Sequence, residues 1–124
     1  MAGKIVADTL EHSTAGSIAT NFVVEGSAKA WGNASGDGTP VLDDSFNTTS
    51  LTDDGVGTQT YSLTNSMNSA DFSGNGTPIE TGFAINIQIL GQSSSNSFQL
   101  KTHNASGSGA DSDGKNYTIH GDLA

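Results

Sequence analysis

Apolar residues in this chain fall in short runs that alternate with polar ones at the period of a strand. The clearest run is 83–90. Phe83, Ile85, Ile87 and Ile89 take one face there, and Ala84, Asn86 and Gln88 take the other. Residues 97–103 repeat the pattern, with Phe98 and Leu100 inward and Gln99 and Lys101 outward. Tyr61 and Leu63 share a face within 58–65, and Tyr117 and Ile119 face inward from a last strand that ends near Gly121. Weaker runs at 22–25, 28–33 and 44–52 complete the set. Phe46 and Leu51 stand five apart in the last of these, so burying both requires a bulge or a break between them. Gly, Asn, Asp and Ser separate the runs, and good helix formers never accumulate over a helical window. Six or seven short strands with polar turns predict an all-β fold, an antiparallel β-sandwich or jelly-roll. The expected core is Phe46, Tyr61, Leu63, Phe83, Ile85, Ile87, Ile89, Phe98, Leu100, Tyr117 and Ile119.

Residues 1–21 are different. Ile5, Val6, Leu10 and Ile18 show no sustained period there, which predicts an extended attachment arm with a turn at 13–16. The sandwich domain then runs from 22 to 124. Asp53-Asp54-Gly55 signals a hairpin into 58–65, through a connection longer than a tight two-residue turn. The segments 32–40 and 104–116 read as loops.

Composition narrows the function. Gly, Ser, Thr and Asn make up 57 of 124 residues, and Leu, Ile, Val and Phe only 24, with a net charge of −9. A lone chain of this kind buries a thin core, and partner subunits are the direct way to bury more. The basic residues are four Lys and no Arg, which argues against a nucleic-acid partner. Without Cys, disulfides and thiolate metal sites are excluded. The first twenty residues hold no unbroken apolar run of the signal-peptide kind, and no segment reaches the length of a membrane span.

Candidate chemistry is sparse. Asp111-Ser112-Asp113-Gly114-Lys115-Asn116 resembles a calcium loop, but its Gly comes too early, Lys115 repels a cation and its flanks are strands, so a solvated turn is expected. Asp43, Asp44, Asp53 and Asp54 read as turn residues. His12, His103 and His120 lack metal-ligand spacing. No nucleophile elbow occurs, and Glu11, Glu25 and Glu80 lack a groove context for glycosidase work. The chain is therefore read as non-enzymatic, with no cofactor and no metal. Trp31, Tyr61 and Tyr117 could form a sugar-stacking platform, although both tyrosines are assigned inward and Trp31 shares parity with Lys29 and Asn33. The candidate receptor or interface residues are Trp31, Asn33, Asp37, Asn104, Asp111, Asp113 and Asn116, mostly on loops.

The stretch Phe22-Val-Val-Glu-Gly-Ser-Ala-Lys-Ala-Trp31 resembles a segment of virion fibre and structural proteins of marine bacteriophages. The resemblance continues through Asp44-Ser-Phe-Asn-Thr-Thr-Ser-Leu-Thr-Asp-Asp-Gly55, a Gly-Thr-x-x-Tyr-x-Leu strand at 57–63 and a turn at 67–72. It closes on Ser-Phe-x-Leu at 97–100 and Tyr-x-Ile-x-Gly-Asp at 117–122, while Lys4-Ile-Val-Ala-Asp-Thr-Leu10 looks like the start of such fibres. The match is weakest at 74–83, and the family's aromatic-rich loop after the Trp is reduced to 32–36. The resemblance implies a homotrimeric tail or head fibre or spike subunit on the virion surface. It would bind other virion proteins through the arm, with a host-surface glycan as a candidate partner. A capsid decoration protein and a free carbohydrate-binding module are the alternatives, and a glycan-hydrolysing enzyme comes last.

Overall fold

The computed structural model describes residues 3–36, 38–80 and 85–123. Among them are β1 (Thr9–His12), β2 (Gly16–Ala19), α1 (Thr20–Gly26), β3 (Ala30–Ser35), β4 (Leu42–Phe46), β5 (Thr48–Gly55), β6 (Thr58–Leu63), β7 (Ser73–Ile79), β8 (Ile85–Ser94), β9 (Ser97–Asn104) and β10 (Gly114–His120). Eight strands form two antiparallel four-stranded sheets, ordered β4-β3-β10-β7 and β5-β6-β9-β8. Their inner faces share one core, so the all-β sandwich expected from the alternation is the fold, with more strands than the pattern predicts.

The core follows parity. On β6 Tyr61 and Leu63 are buried, on β9 Phe98 and Leu100, and on β10 Tyr117 and Ile119, while their sequence neighbours are more exposed. Ile87 and Ile89 pack against this cluster from β8. At its centre the Tyr61 ring stacks on Phe98 with centroids 5.1 Å apart and planes 2° apart, and Tyr117 meets both rings at steep angles. Offset and edge-on arrangements of this kind suit the aromatic quadrupole. Phe83 and the side chain of Ile85 lie outside the described residues.

Several expectations need correction. Phe46 is not in the core: it sits half-exposed on the outer face of β4. The single strand expected over 44–52 is two strands in different sheets. Asn47 between them adopts φ 57°, a left-handed conformation that a short amide side chain tolerates. That corner is the break that Phe46 and Leu51 require, and only Leu51 stays with the core. Residues 22–25 form part of α1 and not a strand, because a short continuous apolar run carries no period to tell the two apart. The β5–β6 connection is the tight turn Val56-Gly57, since β5 runs through both Asp53 and Asp54. Asn116 belongs to β10 and not to the preceding loop, and β3 continues through Ser35 into the segment expected as a loop.

β7 has no counterpart among the expected strands. Its inward positions include Gly74 and Gly76, where an added Cβ would run into the Cδ1 atoms of Ile89 and Ile87. The facing strand supplies the apolar side chains, so β7 carries no alternation of its own.

Residues 3–27 stand apart from the sandwich core. β1 and β2 form a hairpin around the expected turn, and α1 follows directly. Thr20 ties the helix start back to the incoming chain, donating from its amide to Asp8 O (2.9 Å) and from its hydroxyl to Ala7 O (2.6 Å). None of the α1 residues is buried.

Candidate functional site

The outer face of the β4-β3-β10-β7 sheet gathers aromatic and amide side chains. The ladder registers place Phe46, Trp31, Thr118 and Asn75 in one row across the four strands. The next row is Asp44, Asn33, Asn116 and Thr77. Trp31 and Phe46 stack with ring centroids 6.4 Å apart and planes 19° apart, and they remain 43% and 50% exposed. Beside them Asn33 Nδ2 donates to Asn116 Oδ1 at 2.5 Å. Three of the expected receptor residues, Trp31, Asn33 and Asn116, therefore meet on one sheet face. A ring surface flanked by amides can stack against an apolar ligand face and hydrogen-bond its hydroxyls. Phe46 and Asp44 belong to this face too. The sequence conceals them because the chain reverses at Asn47, which flips the parity between β4 and β5.

The other expected residues lie elsewhere. Asn104 closes its own loop, its Oδ1 accepting from the amides of Ser106 and Ser108 at 3.1 Å each. Asp111 Oδ1 accepts from the Gly57 amide at 2.6 Å, which pins the loop before β10 to the β5–β6 turn. Asp113 is exposed, and its carbonyl accepts from the Gly36 amide. No group of three or more His, Cys, Asp or Glu among the described residues could hold a metal ion. Asp37 lies outside the described residues.

A second grouping lies on the N-terminal unit. Ile5, Val6 and Phe22 are exposed by 65% or more, and Leu10, Ile18, Val23 and Val24 are exposed as well. The four expected arm residues belong to this set, and Leu10 pairs with Ile18 across the hairpin. A groove lined by Ile5, Val6, Ala7, Leu10, Val23 and Val24 runs between the incoming chain and α1. Lys29 fastens the unit to the sandwich: its ammonium donates to the carbonyl of Val24 and to Ser27 Oγ near the helix C-terminus, where a cation is favoured.

The third grouping is inside. Gln59, Thr102, Ser112 and Lys115 are buried at the end of the sandwich near the β5–β6 turn. Tyr61 donates its hydroxyl to Gln59 Oε1 at 2.7 Å, and Thr102 Oγ1 bonds Ala110 O and Gly57 O. The solvated turn expected over 111–116 is not what forms: Ser112 and Lys115 are fully buried, and Lys115 lies in β10 on the face of Tyr117 and Ile119. Its Nζ has no hydrogen-bond partner. Burial pushes the Lys115 ammonium down to about 8, against the opposite pull of Asp111 and Asp53.

Burial also raises both tyrosine hydroxyls. Tyr61 is raised further by neighbouring Tyr117, whereas the Thr48 hydroxyl partly offsets the rise at Tyr117. Groups with raised folded-state values hold stability that is complete below the ordinary value of 10.0 and is lost as pH climbs through the folded value. Urea midpoints should therefore fall as pH rises above about 10, and Tyr117→Phe should make that fall shallower.

No family model, curated protein or solved structure matches this chain.

Proposed function

We propose that this chain is a non-enzymatic structural subunit of a bacteriophage particle, a homotrimeric fibre or spike component that attaches through its N-terminal unit. The observation that carries the reading is the exposure of seven large apolar side chains between Ile5 and Val24, none of which joins the sandwich core. Five of them, Ile5, Val6, Leu10, Val23 and Val24, line one groove, so the exposed apolar surface is concentrated and not scattered. A monomer gains nothing from such a surface, whereas an assembling subunit buries it. The phrase-by-phrase resemblance to marine phage structural proteins points the same way.

The test combines location and mass. Antibody against the purified sandwich should label intact phage particles. Light scattering should give the full chain a mass near three times 12.6 kDa. Deleting residues 1–27 should leave a cooperatively melting β-sandwich that is monomeric and no longer joins particles. Unlabelled particles, or a full chain that stays monomeric, would sink the reading.

The stacked pair Trp31–Phe46 favours a second reading, a carbohydrate-binding module. Glycan binding that survives in the 28–124 monomer and disappears with Trp31→Ala would move the assignment there.

A further inference from the structure

We infer that Lys115 and Gln59 join through an isopeptide bond that staples the two sheets of the sandwich together. This inference is independent of any particle role. β6 and β10 leave the same corner of the molecule, where Gly57 just ahead of one strand bonds Asp111 just ahead of the other. Two residues up β6 from Gly57 is Gln59, and two further is Tyr61. On β10 the inward residues in order are Lys115 and Tyr117. Tyr61 and Tyr117 are in ring contact across the interior at 4.7 Å. Lys115 and Gln59 therefore occupy the adjoining layer of the same core, one on each sheet. Asp53 pairs with Gln59 in the β5–β6 ladder and completes that layer at its edge. The Lys115 ammonium feels the charge of two carboxylates, Asp111 first and Asp53 after it.

Each group suits one part of an amide transfer. The Lys115 amine is wholly buried and unpartnered, which is a strongly unfavourable state for a cation and leaves its nitrogen free to react once neutral. Depression of its pKa to about 8 supplies that neutral form under mild conditions. The Gln59 carbonyl is polarised by the Tyr61 hydroxyl at 2.7 Å, while its amide nitrogen holds only a long 3.4 Å contact to Ser35 O. Lys115 Nζ attacks Gln59 Cδ, and the Tyr61 hydroxyl stabilises the oxyanion. The Asp53 carboxylate takes one amine proton and passes it to the leaving nitrogen. The Nζ–Cδ bond forms, the Cδ–Nε2 bond breaks and ammonia departs, with no oxidant or co-reactant. The product is a neutral secondary amide, so the orphaned buried charge is gone.

Intact-mass spectrometry of the denatured full chain tests this directly. The expected mass is one ammonia short of the sequence, and Lys115→Arg should restore the full mass. Trypsin should yield residues 30–101 joined to 102–124, uncut after Lys115. Asp53→Asn should accumulate the unlinked mass during refolding, and an undiminished linking rate would remove Asp53 from the step. A full-mass wild-type chain would overturn the inference. So would an ammonia loss confined to one linear peptide and persisting in Lys115→Arg, as cyclisation at Asn75-Gly76 would give.

Discussion

Tyr61→Ala should lower the unfolding free energy of the sandwich by about 3–5 kcal/mol, measured as a drop in the urea midpoint. Tyr61 is fully buried and sits between the two sheets, stacked on Phe98 and in contact with Tyr117. Removing its ring opens a cavity on which three strands converge, β6, β9 and β10. Truncation also strips Gln59 Oε1 of its hydroxyl partner in a site closed to water, a loss of roughly 1–3 kcal/mol when uncompensated. Tyr61→Phe isolates that second part, because it keeps the ring and deletes only the hydroxyl. A domain of this size has about 5–15 kcal/mol in total, and this one has few aliphatic residues, so Tyr61→Ala should leave little margin. Phe46→Ala is the contrast. Residue type alone gives both aromatics to the core, yet Phe46 is half-exposed, and its truncation should cost about 1 kcal/mol or less. Equal losses at the two positions would contradict the outward placement of Phe46.

These two residues show what a sequence of this kind makes legible. Tyr61, Phe98 and Tyr117 lie in runs whose period-two alternation survives for four or more residues, so their faces follow from the residue pattern alone. Phe46 ends its strand, and the reversal at Asn47 makes its parity against Leu51 uninformative. β7 is illegible for a different reason. Two of its three inward positions are glycines, because isoleucines reach across from β8, and a strand that borrows a facing strand's side chains leaves no pattern of its own. The N-terminal apolar residues are legible as a set with no core period. Their hairpin and helix are not, since local pairing through Thr20 and the 9–19 ladder leaves no trace in hydrophobicity. For the outer face, Trp31, Asn33 and Asn116 are identifiable by chemistry, but their adjacency depends on the antiparallel register of β3 against β10, which residue types do not encode. Lys115 is the sharpest case. Its parity with Tyr117 and Ile119 points inward, yet a lysine at such a position reads as a turn residue until the strand is seen to begin at Gly114.

Gly57→Ala should be nearly as costly as the loss of the Tyr61 ring, roughly 3–5 kcal/mol by left-handed strain plus disrupted buried hydrogen bonds. Gly57 takes φ 73°, which a residue with a Cβ adopts only under strain. The space is also closed: the new Cβ would collide with Thr102 O and stand 2.7 Å from Ala110 O. Those atoms belong to the junction that seals the polar end of the sandwich. Thr102 N donates to Gly57 O at 2.8 Å, Ala110 N to Thr102 O at 3.1 Å, and the Gly57 amide to Asp111 at 2.6 Å. Both clashing atoms are backbone carbonyl oxygens, so no side-chain rotation relieves the clash. Separation of the β5–β6 turn, the end of β9 and the loop before β10 is the remaining way to accommodate it. Gly107→Ala separates the two causes, since Gly107 has φ 82° with open space around its missing Cβ. It should lose only the conformational part, about 1–2 kcal/mol. Equal losses would assign the cost at Gly57 to φ alone. A larger loss at Gly57 locates the closure of the sandwich's polar end at this one contact, on which the approach of Gln59 to Lys115 also depends.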